Sequence, residues 1–447
     1  MKFIETIKNV WRIEELKNRI LITLGLLLVY RFGTQVVLPG IDASQLSNLA
    51  NQADDGLLGL LNAFTGGAFS NASIFALGIM PYISASIVVQ LMGIAVPYLQ
   101  KLQKEGESGR KKINQITRWL TIAITLVQGP GYIYNLYGTL PQSAFLLGDS
   151  ISFVVSSVII LTTGCIFAMW LGERITDKGI GNGISLLIMV GIIARLPQSF
   201  LQEWVSRVSG ADANGGLIMI LIELFIWFAI IFASVMLVMA VRQIPVQYAR
   251  RNATGGYEKN IFGGARQFIP LKLNASGVMP IIFAQAIMFI PSAVAGMSDS
   301  EMAQGITAEF NNIFGLWYNV VFALLIIIFT YFYTAITVPT NKMADDLKRS
   351  GGFIPGIRPG TETAEYLDRI MSQITLPGSV FLALIAVFPA IVVSIGVQQG
   401  WALFFGGTSL IIMVGVAIDT MQQINSYLLN KHYDGLMKSG RNRKAVA

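Results

Sequence analysis

GLLGLLNAFTGGAFSNASIFALGIMP, residues 56–81, is an apolar stretch without a charged residue, and glycine, serine and asparagine interrupt it near its middle. About 20 continuous apolar residues in a helix would cross a hydrocarbon core about 30 Å thick. Gly66 and Gly67 instead suit a helix end or a hinge, because glycine adopts the left-handed conformation that closes many helices. We therefore place the crossing helix of this region after the interruption, at residues 74–95.

The composition is typical of a membrane protein. The chain has 447 residues, of which 53% are hydrophobic and 13% are charged, whereas soluble domains carry about 25% charged residues. Apolar runs of membrane-spanning length recur along the chain, and their continuity disfavours the alternating strands of a β-barrel. The composition therefore predicts an all-α polytopic membrane protein.

Ten apolar spans are predicted: 20–38, 74–95, 118–137, 151–171, 183–200, 216–241, 277–296, 317–338, 376–397 and 407–429. All but three of the 32 Lys and Arg residues lie in 1–19, 98–118, 172–182, 242–272, 339–375 and 430–447. Because cytoplasmic loops collect Lys and Arg, we expect these six segments, and hence both termini, on the cytoplasmic side.

The ten spans predict two halves of five helices that are inverted relative to each other, since an odd number of crossings makes the second half enter from the opposite side. The predicted divisions along the chain are an amphipathic N-terminal segment at 1–19, spans one to six at 20–241, a cytoplasmic loop at 242–272, spans seven to ten at 273–429 with a second loop at 339–375, and a basic tail at 430–447.

Ionisable residues are scarce within the spans. They are Arg31, Arg195, Glu223 and Asp419, and no pair forms an obvious proton relay. An inverted-repeat secondary transporter shares the predicted topology and remains an alternative, but transporters usually place such groups in the membrane. An intramembrane protease would need paired catalytic residues such as two aspartates within the spans, and only Asp419 is available.

Bond-making chemistry is not expected. Cys165 and His432 are the single cysteine and histidine, and the chain has no Walker A, HExxH or GxSxG motif. We predict no catalytic residue, no cofactor and no metal. The two long basic loops favour a large cytoplasmic partner instead, either ribosomal RNA or an acidic protein surface.

Six motifs together resemble the SecY family of protein-conducting channels, and they occur in that family's order. They are ASIFALGIMPYISASIVVQL (72–91), QKEGESGRKKINQITR (103–118), MWLGERITDKGIGNGIS (169–185), IPLKLNASGVMPIIFA (269–284), DDLKRSGGFIPGIRPGTETAEYLDRI (345–370) and FFGGTSLIIMVGV (404–416).

The resemblance implies an hourglass-shaped channel of ten helices that conducts unfolded secretory proteins and opens sideways for membrane proteins. It implies a plug near 57–66, formed by Leu57, Leu58, Leu60, Leu61 and Phe64. By the residues alone, this half-helix of about 15 Å is too short to span, and a re-entrant or interfacial helix without a gating role is the simpler interpretation.

The resemblance also assigns residues to the pore and its lateral gate. The pore ring would consist of Ile79, Ile83, Ile184, Ile188, Ile282 and Ile412, and the lateral gate would include Gln90, Gln128 and Gln285. Isoleucine in a membrane helix more often lies in the core or faces lipid. An intramembrane glutamine more often only links neighbouring helices by a hydrogen bond.

Partners follow from the same resemblance. They are SecE, SecG, the SecA ATPase, the ribosome and polypeptides with signal sequences, together with acidic membrane lipid. Arg358, Arg250 and Arg251 would contact SecA or the ribosome. The expected location is the bacterial plasma (inner) membrane, and a homodimer is an alternative to a single copy.

Overall fold

The computed structural model describes most of the chain. It covers residues 11, 13–46, 62, 64–146, 150–208, 216–248, 267–295, 309–310 and 312–444. Contacts divide the chain into two compact units. The first contains Met1–Ile220, Gly396–Phe404 and Ile412–Ala447, and the second contains Leu221–Ile395 and Phe405–Ile411. The predicted domain boundaries were drawn from topology rather than contacts, and they stay a prediction.

Helices dominate the described residues. In chain order they are α1 Glu14–Gly33, α2 Met80–Ala95, α3 Pro97–Lys104, α4 Glu107–Thr139, α5 Ile151–Lys178, α6 Gly183–Val208, α7 Gly216–Met239, α8 Met279–Ala295, α9 Leu316–Thr337, α10 Thr340–Arg349, α11 Thr361–Ser394, α12 Gln399–Ala402 and α13 Gly407–Lys444. The strands are β1 Val241–Tyr248, β2 Gln267–Lys272 and β3 Gly352–Phe353.

Each of the ten predicted spans overlaps one of these helices, namely α1, α2, α4, α5, α6, α7, α8, α9, α11 and α13. In the described part of the chain, six helices are long and apolar enough to cross a membrane. A seventh candidate arises if α2 and α3, which are bent by 101°, form one span. The protein is therefore a polytopic helical membrane protein, and the number ten stays a prediction.

The predicted start of the second span at residue 74 is wrong. Turns run from Gly66 to Ile79, and α2 begins only at Met80, with Pro81 in its first turn. Proline is favoured there because the first N–H groups of a helix have no intrahelical acceptor. Hydropathy reports that a segment is apolar, and it does not separate a buried turn from a helix.

The core of the first unit surrounds the segment at residues 66–79, which we call the return segment. Its Phe69, Ala72 and Ala76 belong to one apolar cluster with Leu136 of α4 and Leu161 of α5. The return segment is thus part of a hydrophobic core although it is not a regular helix.

The second unit contains a three-stranded antiparallel sheet in the order β2-β1-β3, which we call the small sheet. Ile244, Val246 and Leu271 are buried in it, and they cluster with Leu367 and Met371 of α11. This sheet is a departure from an all-α fold. Its strands lie within the predicted loops 242–272 and 339–375, far apart in the sequence.

Candidate functional site

The predicted pore residues of the first unit lie on three elements. Ile79 is the N-cap of α2, and its carbonyl O accepts from the backbone N–H of Ile83 over 3.1 Å. Ile184 and Ile188 lie one turn apart on α6, and Ile412 lies on α13. Ile79 is therefore not within the helix, but the turn that joins it to Ile83 keeps the predicted spacing of one face.

Burial of these side chains fits a closed constriction but does not identify one. Ile79, Ile188 and Ile412 are 4%, 7% and 2% exposed, whereas Ile83 and Ile184 are half-buried. Ile282 is half-buried on α8, which belongs to the second unit. A helix core gives the same burial, so the ring stays a prediction.

Most of the predicted plug lies outside the described residues, namely Leu57, Leu58, Leu60 and Leu61. Phe64 is described and is buried, with 8% of its surface exposed. The plug therefore stays a prediction, and the described residues at its end are Asn62, Phe64 and Thr65, which are helical.

Gly66 ends that helix. Its φ is +65°, the left-handed conformation, and the backbone N–H of Gly67 donates to the carbonyl O of Asn62 over 3.0 Å. This six-to-one hydrogen bond closes a helix C-terminus around a glycine. The predicted helix end at Gly66 and Gly67 is confirmed.

Hydrogen bonds hold the return segment on two sides. The Tyr132 hydroxyl of α4 donates to the carbonyl O of Phe69 over 2.9 Å. The backbone N–H of Leu38 donates to Ala72 over 2.8 Å, and that of Ile74 donates to Val36 over 3.0 Å. These bonds satisfy buried backbone groups that lie outside any regular helix or long strand.

Close backbone approach holds the return segment on a third side. A Cβ on Gly164 of α5 would collide with the carbonyl O of Ile74. The glycine lets the irregular backbone lie directly against the helix, where a side chain would keep the two apart. The return segment is thus fixed from Gly66 to α2.

The turn before the return segment is also ordered. The Asp42 carboxylate Oδ1 accepts from the backbone N–H of Ser44 over 3.0 Å. This backbone hydrogen bond, with help from the Ser44 side chain, lowers the pKa of Asp42 from its ordinary value. The Asp42 N–H donates to Ala144 over 2.9 Å.

The predicted lateral-gate glutamines occupy different environments. Gln90 on α2 is half-buried and Gln128 on α4 is exposed, although α2 and α4 pack against each other. Gln285 on α8 is 4% exposed and belongs to the second unit. Their common role in a gate stays a prediction.

The predicted partner contact at Arg358 lies on an exposed tip. The Arg358 side chain is 88% exposed, and its Nη1 lies 3.9 Å from Glu362. The Thr363 hydroxyl donates to the carbonyl O of Arg358 over 2.8 Å, and Gly356 and Gly360 have positive φ. The backbone therefore presents Arg358 to solvent. Arg250 and Arg251 lie outside the described residues.

A polar cluster lies at the α5–α6 turn and was not predicted from the sequence. The Thr23 hydroxyl of α1 accepts from the N–H of Ile180 over 3.0 Å. The Gln423 side chain of α13 accepts from the N–H of Gly181 over 2.8 Å. In the sequence, only Thr23 on the apolar part of α1 hinted at such a cluster. Each of the two hydrogen bonds joins residues that are more than 150 positions apart in the sequence.

A buried ion pair was missed as well. The Arg207 guanidinium of α6 donates to Glu203 over 2.8 Å, and their side chains are 8% and 2% exposed. Arg207 also donates to the carbonyl O of Gly396, and Glu203 accepts from the N–H of Gln398. The pair fastens residues 396–398 to α6. In the sequence, this pair was indicated only by the spacing of four residues between Glu203 and Arg207, which places both on one face of a helix.

Comparisons with known proteins agree with this architecture. A family model described as SecY matches residues 73–421, more than half of the chain. The protein translocase subunit SecY of Halalkalibacterium halodurans is 41% identical over 440 residues, which are 97% of this chain and 99% of that protein.

Two solved structures have a similar fold. One concerns the plug domain of SecY, described as stabilising the closed state of the translocation channel. It aligns with a TM-score of 0.56 and 18% identity over 92% of both chains. The other is Sec61 in the canine ribosome-channel complex from the endoplasmic reticulum, with a TM-score of 0.53 and 17% identity over 92% of both chains. These matches do not support the transporter alternative.

Proposed function

The chain belongs to the SecY family of protein-conducting channels, and we propose from this premise that it is the central, pore-forming subunit of a preprotein translocase. It conducts unfolded secretory proteins across the bacterial plasma membrane and releases membrane proteins sideways into the lipid. The family is not an enzyme family, and in our proposal the chain has no catalytic site and partners supply the energy.

The observation that carries the proposal is the broken second span. The helical residues Phe64 and Thr65 are followed by Gly66, which ends the helix, and the crossing helix α2 begins only at Met80. Between them, the return segment is fixed in the core of the first unit. A helix end on a fixed base suits a plug, because the base stays in place when the residues before it move.

The pore follows from the chemistry of the six predicted isoleucines. A channel for polypeptides must accept any side chain and still hold back ions. Branched apolar side chains form a deformable constriction that excludes water when it is empty. Ile188 and Ile412 are buried in the first unit, as this role requires. The apolar plug would enter and leave such a constriction without the penalty of desolvating a charge.

The lateral gate would use the glutamines on α2, α4 and α8. Side-chain hydrogen bonds between membrane helices are worth only about 0.6 kcal/mol on average. Bonds of this strength suit helices that separate to admit a signal sequence or a membrane span.

Partners would bind the cytoplasmic side, where the basic segments and both termini lie in our proposal. The exposed tip around Arg358 presents a cation to an acidic protein surface or to ribosomal RNA. The canine Sec61 relative occurs in a ribosome-channel complex, which supports a ribosome as partner of this chain. SecA, SecE and SecG are proposed from family membership alone.

Site-specific crosslinking of a stalled secretory chain tests the pore. Photoreactive probes would replace Ile83, Ile188 and Ile282 in membrane vesicles, and a matched control probe would replace Ile193, which lies on α6 with Ile188 but is 41% exposed. We expect crosslinks to the secretory chain from the first three positions only, and their loss when translocation completes. Crosslinks to lipid or neighbouring helices alone would overturn the proposed pore.

A further inference from the structure

Arg31 is a half-buried cation in the last turn of α1. Charged side chains are costly within a membrane protein's apolar interior, so those that occur there have specific partners. The Nη1 of Arg31 donates to the carbonyl O of Gly66 over 3.0 Å. That carbonyl belongs to the residue that follows the helical residues Phe64 and Thr65, at a helix C-terminus, where the helix dipole presents partial negative charge.

Gly191 of α6 faces the same backbone from another side. A Cβ on Gly191 would lie 2.7 Å from the carbonyl O of Phe64 and 3.3 Å from the N of Gly66. A Cβ on Gly66 would lie 2.6 Å from Arg31 Nη1 and 2.7 Å from the Cα of Gly191. The backbone at Gly66 is therefore held between a guanidinium and a helix, without space for one more methyl group.

This position links the predicted plug to the predicted pore. Gly191 lies three residues after Ile188, so the two share one face of α6. On the other side of Gly66, the N–H of Ser70 donates to the Asn62 side chain over 3.1 Å. The contacts of Arg31 and Gly191 with Gly66 thus lie where the chain passes from the predicted plug into the return segment.

We propose that Arg31 and Gly191 form a latch on the Gly66 backbone that holds the plug in its closed position. The latch rests on the proposed function, because it requires the half-helix near 57–66 to close the pore. Arg31 is a positioning residue: it acts on the plug through the Gly66 carbonyl and does not touch the translocating chain. Release of the latch lets the plug leave more readily, so the idle channel leaks and a weak signal sequence suffices to open it.

The test uses the complete channel reconstituted in vesicles. The variants are Arg31→Ala, which removes the donor, and Gly191→Ala, which pushes on the same backbone from α6. Gly25→Ala is the matched control, because Gly25 also lies on α1 and no atom would lie within 4 Å of its new Cβ. The readouts are ion leak of the idle channel and translocation of substrates with intact and with defective signal sequences.

We expect Arg31→Ala to raise the idle leak roughly 10- to 150-fold, the population change that corresponds to the loss of one hydrogen bond to a charged group. Gly191→Ala should raise it roughly 5- to 150-fold, because overpacking against the same backbone has a similar free-energy cost. Substrates with defective signal sequences should cross, while intact substrates cross as before and show that the channel is folded. Arg31→Lys, which keeps the charge and a donor, should restore most of the seal.

The double variant distinguishes a latch from two unrelated lesions. Because both changes act on the Gly66 backbone, its leak should be smaller than the product of the two single effects. A leak of the double variant equal to the product of the two single effects would contradict the latch. The latch would also be contradicted if neither single variant leaked more than the Gly25→Ala control. Should Arg31→Ala fail to accumulate, Gly191→Ala and Arg31→Lys decide by the same readouts.

The latch and the proposed function fail in different ways. If the unmodified channel translocates intact substrates but the latch variants seal as well as Gly25→Ala, only the latch is wrong. If the unmodified channel translocates nothing under the same conditions, the proposed function is wrong and the latch falls with it.

Discussion

The return segment of the first unit and the small sheet of the second unit are both short structures between long helices, and both pack in an apolar cluster. They differ in what else holds them. The return segment is fixed by hydrogen bonds to its backbone and by a glycine that lets α5 approach it. The small sheet is fixed by apolar side chains packed on α11. The return segment should therefore be sensitive to added atoms, and the small sheet to removed atoms.

The largest effect is expected in the small sheet. Leu367→Ala removes a fully buried side chain and should destabilise the sheet by roughly 3 kcal/mol, since the cavity that remains adds to the lost burial. Hydrogen exchange at the amides of β1 and β2 would measure this as lost protection. Leu384→Ala is the control on the same helix, because Leu384 is 61% exposed. Equal protection in both variants would contradict the packing argument.

Gly164→Ala should have the next largest effect, because the added methyl group collides with the backbone of the return segment. Overpacking of this kind costs roughly 2 kcal/mol. Thermal unfolding of the purified protein in detergent would measure it. Gly131→Ala, on α4, places its methyl group where no atom lies within 4 Å and should unfold like the parent chain. An unchanged unfolding temperature for Gly164→Ala would show that the close approach is not required.

A smaller effect is expected from Tyr132→Phe. The change removes the hydroxyl that donates to Phe69 and leaves a buried carbonyl group without that donor, at a loss of about 1 kcal/mol. The same thermal unfolding experiment applies. Tyr134→Phe is the control, because Tyr134 lies on the same helix and is 81% exposed. If both variants unfold alike, side-chain packing alone fixes the return segment.

The smallest effect on stability is expected at Arg358, where the ion pair with Glu362 is exposed. Arg358→Ala should change the free energy of unfolding by less than about 0.5 kcal/mol, while it weakens binding of the cytoplasmic partner. Ribosome binding to vesicles would measure the second effect. Glu362→Ala removes the same ion pair and keeps the cation, so it should retain binding. Loss of binding in both variants would indicate that the shape of the tip matters rather than its charge.

Sequence patterns predicted much of the architecture, because they depend on local chemistry. Apolar runs and the placement of Lys and Arg indicated the polytopic class, and the paired glycines at 66–67 indicated a helix end. Each of these follows from the solvation of a residue or from its own backbone preference. The six motifs then indicated the family before any contact was known.

The small sheet and the start of α2 were not predicted, and for related reasons. The sheet joins β1, β2 and β3 from segments far apart in the sequence, and its alternation at Ile244 and Val246 is too short to stand out. The residues before Met80 are as apolar as a crossing helix. Their turns form because Tyr132 of α4 and the backbone of Val36 and Leu38 supply hydrogen-bond partners, and because Gly164 of α5 leaves space for their backbone.

The sequence by itself determined that the chain lies in a membrane, approximately where its helices lie, which family it belongs to and that a helix end or a hinge falls at Gly66 and Gly67. Only the tertiary structure decided what that end touches. Arg31 and Gly191 are 35 and 125 residues from Gly66 along the chain, and both meet its backbone. Hydropathy and propensity are properties of neighbours in the sequence, whereas a hydrogen bond to a distant carbonyl and the absence of space for a methyl group are properties of the packed fold.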